Sequence, residues 1–139
     1  MTEINPKQLD FTLYLQQIPS GTAQMKRTNR ATGVFFEPKS VRAARFIYSS
    51  LLRGFAPRVP YEGEIVLSVR FAYATKDKKK RGKHKTTRPD CDNLVKLFLD
   101  CMTSVGFWQD DAQIVILEVE KAWSENPNAS ISVHLKEVR

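Results

Sequence analysis

Between Asp92 and Val105 the residues Leu94, Leu97, Phe98, Cys101, Met102 and Val105 recur at i, i+3, i+4, i+7, i+8 and i+11, the spacing of one face of an α-helix. A strand could not bury that set, because it turns alternate residues to opposite sides. Val95 and Leu99 add a second apolar flank, so the helix needs cover on more than one side. Either the chain's own core or a partner subunit could supply it. Gly106 suits the helix stop. Phe107-Trp108 behind it reads as a turn anchored in the core, with stacking on a nucleic-acid base as the alternative.

The other elements are arranged around that helix. Leu9, Phe11, Leu13 and Leu15 alternate with polar residues and predict a half-buried strand ending at Pro19. Ser20 to Gly33 is polar and basic, with Lys26, Arg27 and Arg30, and predicts a loop or irregular hairpin leading into Val34-Phe35-Phe36. Pro38 suits a first helical turn and Gly54 a stop. Between them Val41, Ala44, Tyr48 and Leu51 share one face, and Arg42, Arg45 and Arg53 line another. Ile65, Leu67, Val69, Phe71 and Tyr73 predict a second strand. Val115, Leu117 and Val119, then Ile131, Val133 and Leu135, predict two closing strands, with Asn126-Pro127-Asn128 turning between them. The order is strand, helix, strand, helix, strand, strand. That is an α+β fold: a small single domain over residues 1–139, with a mixed β-sheet packed against two main helices.

The charge is concentrated. Residues 75–88 hold eight Lys or Arg against Asp77, and this segment alone accounts for the chain's net charge of +7. A neutral domain carrying one positive loop, 75–89, points to a polyanion partner; a merely solvated loop is the bland alternative. Cys91 and Cys101 lie ten positions apart on one predicted helix, about 280° around its axis, so they should not pair. A reducing cytoplasm is the simplest setting. No apolar run approaches membrane-spanning length, so no membrane contact is expected. His84 and His134 have no second His nearby, and neither is expected to serve as a ligand or general base.

The chemistry should lie with two aspartate clusters, Asp90-Cys91-Asp92 before the central helix and Asp110-Asp111 after it. Gathered carboxylates repel unless a cation holds them, and oxygen ligands suit Mg²⁺ or Mn²⁺. Inside one regular helix Asp90 and Asp92 would point about 200° apart. They converge only if Asp90 is extended or caps the helix while Asp92 begins its first turn. Pro89 favours this, since it turns Arg88 away from helical angles. Helix capping and the helix dipole explain one such Asp, but poorly explain three. Lys96, four residues after Asp92, reads equally as an ordinary ion pair or as a cation beside a scissile phosphate. A phosphatase using Asp in D-x-D is disfavoured, because Lys85-Thr86-Thr87-Arg88-Pro89 is no apolar strand.

Two segments, Arg88-Pro89-Asp90-Cys91-Asp92-Asn93-Leu94-Val95-Lys96 and Gly106-Phe107-Trp108-Gln109-Asp110-Asp111-Ala112-Gln113-Ile114, together closely resemble the RusA family of Holliday-junction resolvases. Ile18-Pro19 to Lys26-Arg27, then Phe36-Glu37-Pro38-Lys39, is similar to that family's basic hairpin and first helix. The resemblance implies a homodimeric, Mg²⁺- or Mn²⁺-dependent endodeoxyribonuclease that makes paired symmetric nicks in four-way DNA junctions during recombination and repair, with no nucleotide cofactor. It implies Asp90, Asp92 and Asp111 as metal ligands and Lys96 as the catalytic cation, and leaves Asp110 unassigned. The DNA contacts expected with it are Lys26, Arg27, Arg42, Lys78, Lys79, Lys80, Arg81, Lys83, Lys85 and Arg88. Pro89 stands where some relatives carry a basic residue, which shifts that phosphate contact to Arg88. The alternatives are a branched-DNA or flap endonuclease of other specificity, and a non-catalytic junction-binding protein.

Overall fold

A computed structural model describes residues 5–22, 27–28 and 31–138, with backbone alone for Arg27, Thr28 and Phe35. Lys26 and Arg30 lie outside the described residues. The elements are β1 (Gln8–Leu15), β2 (Arg27–Thr28), β3 (Phe35–Phe36), α1 (Lys39–Leu52), β4 (Glu64–Tyr73), α2 (Cys91–Val105), β5 (Ile114–Trp123) and β6 (Ala129–Val138). A 3-10 turn, Asp111–Gln113, leads into β5. The polar segment after Pro19 does form a small hairpin, with β2 and β3 paired antiparallel.

The main sheet runs β1-β6-β4-β5, antiparallel except for the parallel β4–β5 pair. A parallel pair requires a crossover, and α2 is that crossover. The two closing strands are therefore not neighbours, since β4 lies between them. Residues of one parity, Phe11, Leu13, Ile65, Leu67, Val69, Phe71, Ile131, Val133 and Leu135, are buried toward the helices. The opposite face carries polar pairs such as Asp10–His134, Arg70–Glu120 and Thr12–Ser132. This one-sided burial is the usual result of period-2 alternation in a sheet with one covered face.

The chain itself covers α2. Leu94, Val95, Leu97, Phe98, Leu99, Cys101 and Met102 are all buried within the single chain, which settles the source of cover in favour of the chain's own core. Phe98 is the hub: its ring meets Tyr48 of α1 edge-on at 5.2 Å and Phe71 of β4 at 5.5 Å, geometry that aromatic quadrupoles favour. On α1, Val41, Ala44, Tyr48 and Leu52 are buried, so the inward row is one residue later at its end than the sequence spacing indicates. Gly106 takes φ 95° at the C-cap of α2, a conformation costly to any residue with a Cβ. Gly21 answers a different need, since a side-chain carbon there would sit inside the Ser40 backbone at the start of α1.

Candidate functional site

Asp90 is the N-cap of α2 in extended conformation, φ −69° and ψ 148°, and Asp92 lies in the first turn. This is the one arrangement that lets two carboxylates two residues apart face a common space. Asp90 makes no capping hydrogen bond with its side chain, and both residues are exposed. Capping therefore does not explain Asp90. Lys96 is exposed one turn further along. Among the described residues it forms no ion pair with Asp92, although i, i+4 spacing puts the two on one face.

At the far end of α2 the two aspartates divide their work. The Asp110 carboxylate accepts from the Ala112 amide at 2.9 Å, and the Gln113 side chain accepts from the Asp110 and Gln109 amides, both at 3.1 Å. This reciprocal arrangement is a capping box. The Gln113 amide group also donates to Tyr61 O at 2.8 Å and Gly63 O at 3.1 Å, tying the turn to the start of β4. Asp110 is thus a structural cap, whereas Asp111 is exposed with no such task. Trp108 is buried, its indole donating to Thr103 Oγ1 at 2.7 Å; Phe107 is buried beside it, so the pair serves the core rather than a base.

The three carboxylates expected to hold a metal do not meet within one chain. Asp90 and Asp92 stand at the start of α2, a helix of 15 residues or roughly 22 Å at 1.5 Å per residue. Asp111 lies beyond its other end. Asp90 borders a cavity with Tyr73, at the end of β4, while the Asp111 turn is bound at the beginning of β4. Among the described residues no three acidic, His or Cys side chains are gathered in a way that could hold a metal ion. A single chain therefore does not build the three-carboxylate cradle, because α2 and β4 hold its parts apart.

The basic loop is not free. Gly82 N donates to Trp123 O at 2.9 Å, Trp123 N to Lys83 O at 2.8 Å and Lys85 N to Lys121 O at 3.0 Å, so residues 82–85 extend the sheet along the outer edge of β5. Lys85 is buried, contrary to its expected role as a DNA contact. Its ammonium lies 4.8 Å from the Tyr73 ring centre and 5.3 Å from that of Trp123. It donates to Thr87 O at 3.1 Å, Thr87 Oγ1 at 2.7 Å and Arg88 O. Burial, and then the nearby Lys121 and Lys80, push its pKa below the ordinary lysine value. Lys121 on β5, absent from the expected site, donates to Thr87 O at 2.7 Å and Pro89 O at 2.6 Å. Strand position alone gave no signal for it. Lys80 lies 5.1 Å over the Trp123 ring while remaining exposed. Arg81 is half-buried, its Nε without a partner. Lys78, Lys79, Lys83, Arg88 and Arg42 are exposed, and Lys26 and the Arg27 side chain lie outside the described residues. His84 pairs with Glu120 at 3.1 Å and His134 with Asp10 at 2.9 Å. Cys91 and Cys101 are free thiols.

A cavity of about 330 Å³ opens beside Asp90, walled by Ile18, Pro19, Thr22, Tyr73, Arg88 and Pro89. The Tyr73 hydroxyl is buried without a hydrogen-bond partner, and burial pushes its pKa up to about 12. No helix among the described residues is long and apolar enough to cross a membrane.

Comparison with known proteins follows the same residues. Residues 17–134 match the family model described as endodeoxyribonuclease RusA. A protein of Lactococcus phage r1t named crossover junction endodeoxyribonuclease rusA is 33% identical over 128 residues, covering 89% of this chain and 95% of the relative. The uncharacterized protein YqaN of Bacillus subtilis (strain 168) is 40% identical over 48 residues, 34% of this chain and 33% of that protein. Matched across both aspartate clusters, both main helices and the parallel pair β4–β5, the chain belongs to the RusA family.

Proposed function

We propose that this chain is a structure-selective endodeoxyribonuclease that resolves four-way DNA junctions by paired symmetric nicks, in recombination and repair. We propose further that it acts as a homodimer and requires Mg²⁺, for which Mn²⁺ substitutes. The observation that carries the reading is the idleness of four charged groups. Asp90, Asp92, Asp111 and Lys96 are exposed, and no cap or ion pair among the described residues employs them. Charges with no structural task, three of them just after a loop of exposed cations, fit a site that works on a phosphodiester. The name of the phage relative supports the substrate class.

The separation of the carboxylates supports a dimer. One ion can meet all three only if Asp90 and Asp92 come from one copy and Asp111 from another. A two-fold arrangement then builds two equal sites, as paired nicks require. An ion so held would draw charge from the phosphoryl oxygens and make an attacking water more acidic. The chain's own groups do the rest. Extended backbone at Asp90, just before the first turn that carries Asp92, would let the two carboxylates share one ion. Lys96 holds its ammonium one helical turn from Asp92, where it offsets charge developing on the phosphoryl oxygens. Arg88, Lys78, Lys79, Lys83 and Arg42 neutralise flanking phosphates and hold the duplex arms.

The test uses an end-labelled immobile four-way junction and a matched duplex, each with and without Mg²⁺, with Asp92→Asn as control. Paired symmetric nicks in the junction alone, dependent on metal and on Asp92, are the expected result. Junction binding without nicking in Mg²⁺ and Mn²⁺ would reduce the protein to a binding module. Equal cutting of the duplex would remove junction selectivity.

A further inference from the structure

Three consecutive backbone carbonyls precede Asp90, and lysine ammonium groups take all of them. Lys85 binds Thr87 O, Thr87 Oγ1 and Arg88 O; Lys121 binds Thr87 O and Pro89 O. The two lysines come from different elements, one from the loop edge strand and one from β5, and they share the Thr87 oxygen. Successive carbonyls repel one another when turned to one side, so a turn of this kind needs cations inside it. Hydrogen bonds from charged donors are the stronger class. The Lys85 ammonium is also held between Tyr73 and Trp123, at the ends of β4 and β5, and a largely desolvated cation gains most from aromatic faces.

We infer that Lys85 and Lys121 form a clamp that positions Asp90, by anchoring the Thr87–Pro89 turn to the sheet. The inference rests on the nuclease reading for its consequence and on geometry for its existence. Among the described residues Asp90 has no side-chain capping hydrogen bond to orient it, so its direction is set by the backbone it hangs from. That backbone must stay extended at Asp90 if its carboxylate is to meet that of Asp92. The clamp connects the sheet to the first carboxylate of the site without touching DNA. It also accounts for the burial of Lys85 within an otherwise exposed basic region.

The experiment compares wild type with Lys121→Met, Lys85→Met and Lys121→Arg in single-turnover and steady-state junction cleavage, over a Mg²⁺ titration. Methionine keeps the length of the stem and removes the donor. Lys121→Met is expected to lower kcat by roughly tenfold to a hundredfold, the range a small misplacement of a reacting group produces. The Mg²⁺ concentration for half-maximal rate should rise. Junction affinity and its salt dependence should stay near wild type, and Lys121→Arg should recover part of the rate. Lys85→Met should act in the same direction, with the double variant less than additive because both lysines hold one oxygen. Lys121 is only half-buried, so its variant serves if Lys85→Met does not fold.

Unchanged kcat and Mg²⁺ requirement would overturn the clamp. So would weakened binding with a shallower salt slope at constant kcat, which would make these lysines phosphate contacts. If wild type cuts no junction, the nuclease reading fails separately. Amide hydrogen exchange over residues 87–93 then decides: faster exchange in Lys121→Met supports the clamp, and unchanged exchange rejects it.

Discussion

Asp110 and Asp111 are adjacent and chemically identical, yet the structure assigns them opposite fates on substitution. Asp110→Ala removes the carboxylate that accepts from Ala112 N at 2.9 Å and half of the capping box with Gln113. Loss of an exposed cap costs about 1 kcal/mol. Its neighbours stay tied down, because Gln113 still donates to Tyr61 O and Gly63 O. For a domain of 139 residues, about 1 kcal/mol corresponds to a melting temperature lower by roughly 3 °C. Asp111→Asn removes a charge that supports nothing local, so stability should stay within about 0.5 kcal/mol of wild type. Circular-dichroism melts and junction cleavage with Mg²⁺ would be measured on both. Asp110→Ala is expected to melt lower and still cut; Asp111→Asn is expected to melt like wild type and lose cutting. The reverse pattern, or equal loss of stability in both, would refute this division of labour.

Three further outcomes are expected. Gly106→Ala places a Cβ at φ 95° with no atom within 4 Å of it, so the whole cost is backbone conformation, about 1–2 kcal/mol, readable as a lower urea midpoint. The Glu137 carboxylate is held below the ordinary glutamate value, chiefly by the Gly63 amide and also by Lys7. Folded protein thus binds this proton less readily than unfolded chain, so the stabilisation is present above pH 4.5 and is lost as pH falls through the lowered folded value. Glu137→Gln should flatten acid unfolding in that window, and an unchanged acid limb would contradict the assignment. Finally, Lys79→Ala should lower the log–log salt slope of junction binding by about 0.9 if Lys79 meets one phosphate, as measured by fluorescence anisotropy over a salt series.

What the sequence determined by itself was local and periodic. The spacing from Leu94 to Val105 specifies α2 because a helix returns to one side every 3.6 residues, and the alternation in β1, β4 and β6 specifies a sheet with one covered face for the corresponding reason. The extended cap conformation at Asp90 was also expected, on the condition that its carboxylate meets that of Asp92, since within one regular helix the two would point apart. The tertiary structure decided everything that depends on distance across the fold. The crossover puts β4 between the closing strands, and the length of α2 puts Asp111 far from Asp90 although the sequence sets them in neighbouring motifs. Burial turned Lys85 from an apparent DNA contact into an internal donor, and brought in Lys121 from a strand that carried no sign of it. The hydrogen bonds from Lys121 to the turn before Asp90 exist only once β5 lies beside the loop, whereas those from Lys85 stay within the loop itself. Charge can be read from residue types, but what each charge faces is set by chain segments that meet only on folding.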